Sequence, residues 1–201
     1  MKLFYAPPSP FARKARIVAR ERGLMDQIEE IAVAPYQDDA RLLAATPAGL
    51  VPALTLEDGS TLIDSPLICQ HLDAIAPGPM LVPADSPARW KVLNHAALGD
   101  AIMDFAVEAV IETRRTETPP SQAFMARKLG KVSRCLAALP VNPGDTPLTL
   151  GDVKIACALA YLDFRLPDLG WRVLRPDLAI WHDVVESRPA FQATQPAENP
   201  N

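Results

Sequence analysis

Glycine is scarce in this sequence, with nine residues in 201. None forms a Gly-x-Gly-x-x-Gly or P-loop pattern, so the glycine-rich cradles for dinucleotides and nucleotide phosphates are missing. Cysteine is scarcer still. Cys69, Cys135 and Cys157 stand far apart and odd in number, which argues against a disulfide framework and fits a reducing cytoplasm. His71, His95 and His182 are isolated, with no second ligand at helical or Cys-x-x-Cys spacing, so no metal site is expected. Positive charge is in deficit: 20 Lys and Arg against 24 Asp and Glu leave a net charge of −4. That balance suits nucleic acid poorly, since phosphates need a basic surface. No apolar run approaches the roughly 18 residues of a membrane span. The opening stretch Met1 to Pro8 is too short and proline-rich for a signal peptide.

Present in quantity are apolar residues, at 49% enough for a core, in a length that suits one large domain or two small ones. Residues 2–6 read as a strand. Ser9-Pro10 opens a helix ending before Gly23, with Phe11, Ala15, Val18 and Ala19 inward. Arg13, Lys14, Arg16, Arg20 and Arg22 read as its solvated face. A second strand over 28–33 and a short helix over 38–45 follow. Runs at 53–56 and 61–63, joined at Asp58-Gly59, make a hairpin. A helix over 65–76 has Leu67, Ile68 and Leu72 inward. Three prolines between Ala76 and Pro83 mark a semi-rigid linker.

Beyond the Ser86-Pro87 cap the periodicity is helical. Trp90, Leu93, Ala97, Ala101, Phe105 and Val110 line a long helix, and 124–139 packs along a neighbour. The nearly all-apolar run 149–164 is the expected centre of this half. Thr149 and Asp152 form a capping box there, with Leu148 and Val153 as its hydrophobic staple. A last helix covers 178–185, and the tail from Ala193 reads as loosely ordered. Trp90, Trp171 and Trp181 read as core.

One stretch carries most of the chemistry, Leu50-Val51-Pro52-Ala53 closed by Ile63-Asp64-Ser65. Proline cannot donate to a ladder, so Pro52 belongs at a strand start. A cis bond there would turn the Val51 backbone toward an extended ligand, and the sequence leaves the isomer open. Asp64-Ser65-Pro66 reads as a helix start, with Ser65 capping and Pro66 first in the helix. Free N–H groups and a positive dipole end suit a carboxylate. Backbone edge, hydroxyl and carboxylate together suit a zwitterionic peptide such as glutathione.

Four pieces in order, Ser9-Pro10-Phe11-Ala12-Arg13-Lys14, Val51-Pro52-Ala53-Leu54, Asp64-Ser65 and Thr149-Leu150-Gly151-Asp152, make the chain resemble the glutathione S-transferase family over nearly all its length. The resemblance implies an α/β thioredoxin-like domain at 1–78 that binds glutathione. An all-α bundle at 86–201 would bind the second substrate. The partners implied are glutathione as co-substrate, a small apolar electrophile and a second copy of the chain. On the same basis Ser9 activates the thiol, with Tyr5 as rival hydroxyl. Val51 and Pro52 meet the cysteinyl unit, and Asp64 with Ser65 hold the glutamyl end. Relatives often carry Lys or Gln where this chain has Leu50, so the cation for the glycyl carboxylate must come from elsewhere; Arg13, Lys14 and Arg41 are the candidates. Phe11, Met103 and Val107 are expected to face the electrophile. Asp104 is expected at the substrate site with them, in an acidic column with Asp100 and Glu108 whose mutual repulsion a cleft offering a cation would offset, and which otherwise reads as a solvated stripe. Alternatives to conjugation are a glutathione-dependent reductase, lyase or isomerase, or a regulatory protein with a decayed site.

Overall fold

Residues 1–85, 87–140 and 147–199 are described by a computed structural model. The chain divides into two units, Met1–Ala84 with Arg188–Asn201, and Asp85–Ser187. Ser86, expected as a cap, lies outside the described residues.

The first unit is thioredoxin-like. In order it contains β1 (Lys2–Tyr5), α1 (Pro10–Glu21), β2 (Glu29–Ala32), α2 (Ala40–Ala45), β3 (Ala53–Thr55), β4 (Thr61–Leu62) and α3 (Ser65–Ile75). The sheet runs β2-β1-β3-β4, with β1 parallel to β2 and antiparallel to β3. Successive side chains on a strand point to opposite faces. Phe4 and its register partner Ala53 therefore share one face, where Val33 of the β2 exit and Leu42 of α2 complete a buried cluster. Leu3 and its partner Leu54 share the other face and are fully buried, as are Ile17 and Val18 of α1 and Ile68 and Leu72 of α3.

Four corrections concern α1, its C-cap and α3. Arg13, Lys14 and Arg22 are buried, not solvated; Arg13 and Arg22 find partners the helix itself does not carry, and Lys14 lies over a ring of its own helix. Arg13 donates to the carbonyls of Thr194 at 2.9 Å and Phe191 at 3.2 Å. Arg22 pairs with Asp73 at 3.0 Å. Lys14 sits 5.3 Å from the Phe11 ring centroid. Arg16 and Arg20 remain half-buried on Glu30. Burial alone pushes that carboxyl up, but the two guanidinium groups outweigh it and hold Glu30 at about 2. Leu67, expected inward, is 49% exposed.

The C-terminal segment also departs from expectation. The division expected at residue 86 places everything after it in the helical half, with a loosely ordered tail from Ala193. Instead α9 (Pro189–Gln192) and the residues after it belong with the first unit, where Phe191 and Thr194 are buried. Arg188 pairs with Glu21 at 2.6 Å.

The second unit is helical: α4 (Pro87–Thr113), α5 (Gln122–Ala138), α6 (Leu150–Arg165), α7 (Trp171–Leu174) and α8 (Pro176–Glu186). As its all-round apolarity predicts, α6 is buried from Leu150 to Leu162. The Thr149 hydroxyl accepts from Asp152 N at 3.2 Å, and the Asp152 carboxylate accepts from Thr149 N at 2.9 Å, completing the capping box. α4 and α6 meet backbone to backbone at Gly99, where a Cβ would lie 2.8 Å from the Lys154 carbonyl carbon. Trp171 and Trp181 are core, but Trp90 is 71% exposed. Among the described residues no helix is long and apolar enough to cross a membrane.

Candidate functional site

Three local structures in the first unit bring the expected site residues to the ends of its elements. Ser9 ends the β1–α1 connection. Its N–H donates to Ala6 O at 2.9 Å, and its hydroxyl accepts from Ala12 N at 3.2 Å as the N-cap of α1. Pro10 follows at the first helical position, where a missing N–H costs nothing. A hydroxyl that accepts at a cap still has its proton to donate. Tyr5 is differently engaged: its ring lies under the Arg16 guanidinium, 4.0 Å away, beside the Arg16–Glu30 pair.

Val51 and Pro52 lead into β3. Their peptide bond, left open by the sequence, is cis, as is Ile63–Asp64. Pro52 is buried, and Val51 packs against the Phe4–Val33–Leu42–Ala53 cluster. Among the described residues, none of the backbone hydrogen bonds formed outside helices and strands involves Val51, so its peptide groups can serve an extended chain laid beside them.

At α3 the expected cap is displaced by one residue. Asp64, not Ser65, is the N-cap: its carboxylate accepts from Ser65 N at 2.6 Å, and Ser65 is the first helical residue. Asp and Ser are both strong caps, so the sequence could not separate them. The Ser65 N–H is therefore engaged by Asp64. Its hydroxyl, 3.4 Å from the same Asp64 oxygen, is the group at this helix start able to reorient.

Of the three cations considered beside Leu50, Arg13 and Lys14 are buried, whereas Arg41 is exposed, as is Leu50 itself. Arg41 Nε donates to Asp39 at 3.1 Å, and one terminal nitrogen reaches Asp39 at 2.7 Å and Ala32 O at 3.0 Å. The guanidinium holds the Asp39 carboxyl at about 2. This pair borders a cavity with Pro7, Ala34 and Asn199, an arrangement the sequence did not disclose, because its walls come from opposite ends of the chain.

The substrate-facing residues expected elsewhere fare unequally. Phe11 is half-buried beneath the Lys14 ammonium. Val107 is half-buried and Asp104 exposed on α4. Met103 is a correction: it is completely buried, because it falls in phase with Ala106 and Val110 on the inward stripe of α4. At its ends the acidic column meets the offsetting cations, supplied by lysines of neighbouring helices. Asp100 is paired with Lys154 of α6 at 2.6 Å, and Glu108 with Lys128 of α5.

Comparison with known proteins agrees with this architecture. The glutathione S-transferase N-terminal domain family matches residues 3–80. The GST-like protein YibF of Escherichia coli K12 is 34% identical over 98% of both chains. Maleylacetoacetate isomerase of Pseudomonas aeruginosa is 27% identical over 100% of this chain and 98% of its own. Among solved structures, a glutathione transferase family member from Pseudomonas fluorescens Pf-5 with bound glutathione superposes with a TM-score of 0.92, at 36% identity and 98% coverage of both chains.

Proposed function

Because the chain belongs to the glutathione S-transferase family, we propose that it is a glutathione transferase acting on small apolar electrophiles. The observation that supports this best is Ser9. Its oxygen accepts the Ala12 N–H at the start of α1, so its proton is left to aim at a sulfur. The hydroxyl and the positive end of a 12-residue helix both favour a thiolate over a thiol. Val51 pairs the cysteinyl backbone, the Ser65 hydroxyl takes the glutamyl carboxylate, and Arg41 replaces the missing cation at Leu50. The thiolate so formed attacks the electrophile, whose leaving group or added proton balances the charge. The structural neighbour from P. fluorescens, solved with glutathione bound, supports the choice of co-substrate.

Ser9→Ala tests the mechanism. It should raise the pKa of bound glutathione, each unit being about 1.4 kcal/mol of lost thiolate stabilisation. Turnover should fall near neutral pH and recover as pH rises. Ultraviolet titration of the bound thiolate, alongside the pH dependence of conjugation to a chloronitrobenzene, measures both. Full thiolate signal at pH 7 in the variant removes Ser9 from the mechanism. Tight binding with no thiolate in the wild type instead favours a regulatory protein with a decayed site.

Ser65→Ala tests the glutamyl contact. Losing a hydrogen bond to a charged group should weaken glutathione by about 1.5–3 kcal/mol, read by calorimetry. Unchanged affinity sinks the assignment of Ser65.

A glutathione-dependent isomerase is the second reading, favoured by the likeness to maleylacetoacetate isomerase. Mass spectrometry of the products separates the two. A transferase accumulates the conjugate, whereas an isomerase returns rearranged substrate with glutathione unconsumed.

A homodimer is also proposed, through the first unit. Leu50, Ile63, Leu67 and Ile75 are 67%, 41%, 49% and 45% exposed, apolar surface that monomers seldom leave in quantity. Sedimentation as a monomer at micromolar concentration would remove this proposal.

A further inference from the structure

The C-terminal tail crosses to a cavity of about 170 Å³ on the first unit. One water requires roughly 10–15 Å³, so the end of a peptide fits. The cavity adjoins the peptide track proposed above. Pro7 on its wall is two residues from Ser9, and Val33 on its wall belongs to the cluster on which Val51 packs. A peptide running from Ser65 past Val51 would bring its third residue here.

Charge does not measure peptide length in this place. Asp39 and Arg41 both line the cavity and neutralise one another through the bonds at 2.7 and 3.1 Å. Arg41, proposed above to meet the glycyl carboxylate, is thus partly engaged already, and its charge does not fix how long a peptide can enter. Space is what remains to decide what enters, and the tail supplies that boundary through Asn199.

The tail is held at its root. Phe191 and Thr194 are buried, Arg13 donates to both their carbonyls, and the Thr194 hydroxyl donates to Ala190 O at 2.9 Å. From Gln195 to Asn199 the chain is exposed apart from a half-buried Pro196. The wall can thus be removed while its anchor stays.

We infer that the C-terminal tail, through Asn199, is a specificity-determining element: it ends the peptide site at the third residue, admitting glutathione and excluding γ-glutamyl-cysteinyl-glycyl peptides extended beyond glycine. This rests on the glutathione reading above. The tail acts by position, not on the reacting sulfur.

The test is calorimetric titration of three proteins with glutathione and with γ-Glu-Cys-Gly-Phe. The proteins are the full chain, a chain ending at Gln195, and the full chain carrying Asn199→Ala. The full chain should prefer glutathione by about tenfold or more, and the shortened chain should bring the two ligands within about threefold. Asn199→Ala should move the ratio the same way. Equal binding of both ligands by the full chain, or a ratio unmoved in both variants, overturns the inference and leaves the glutathione reading standing. No binding of glutathione to the full chain overturns that reading and the inference with it. If the shortened chain no longer melts cooperatively, an unmoved ratio in Asn199→Ala is sufficient to overturn the inference.

Discussion

Asp73→Ala should destabilise the protein by about 3–5 kcal/mol, the cost of leaving a buried charge without its partner. Asp73 is 1% exposed on α3, 3.0 Å from Nε of Arg22 at the C-cap of α1. The same carboxylate accepts from Leu81 N at 2.8 Å and Val82 N at 3.0 Å. Arg22 in turn donates to Ala76 O at 3.0 Å and to Pro79 O. One buried pair therefore joins two helices and pins the proline-rich segment that follows α3. Removing the carboxylate strands a guanidinium and two backbone N–H groups together. Asp73→Asn should fall between, since an amide oxygen keeps one acceptor without the charge. Urea unfolding followed by circular dichroism measures both variants. A wild-type midpoint for Asp73→Ala would show that water reaches the Arg22 site.

Asp100→Ala should be comparably damaging, about 3–5 kcal/mol, for the same reason in the second unit. Lys154 is 4% exposed on the buried helix α6, and its ammonium lies 2.6 Å from Asp100. The ammonium is buried beside Gly99, where the α4 and α6 backbones close to contact, although the Asp100 side chain is 21% exposed. The decisive comparison is with Asp100→Ala/Lys154→Met. An apolar side chain of similar length removes the stranded charge, and the double variant should recover most of the loss. If the double variant unfolds as early as the single one, the damage comes from packing on α4 and not from the charge.

Much of the architecture was legible because it depends on neighbours in sequence. Pro52 at the entrance of a strand, Ser9 and Thr149 as caps, and the apolar circumference of α6 all follow from interactions within four residues. Those interactions survive whatever the rest of the chain does. The resemblance built on them covered the family and the thioredoxin-like order. Even here local rules reach a limit. Asp64 and Ser65 are equally good caps, and only the placed backbone shows that Asp64 takes the role and engages the Ser65 N–H.

The errors fall where a partner is remote. The charges of α1 were visible, but not the Thr194 carbonyl 181 residues away that lets Arg13 be buried. Met103 and Trp90 were both apolar positions on one long helix, and which of them faced inward depended on the phase chosen by α4's neighbours. The acidic column became interpretable only when Lys154 and Lys128 arrived from α6 and α5.

By itself, then, the sequence determined the family, the thioredoxin-like order of elements and the caps at Ser9 and Thr149, since these rest on local hydrogen bonding and periodicity. Tertiary structure alone decided which charges are buried, that Arg41 is the exposed one of the three candidate cations, and that the tail walls the cavity beside it. Those outcomes depend on desolvation, and a side chain's exposure to water is set by segments that pack against it from anywhere in the chain.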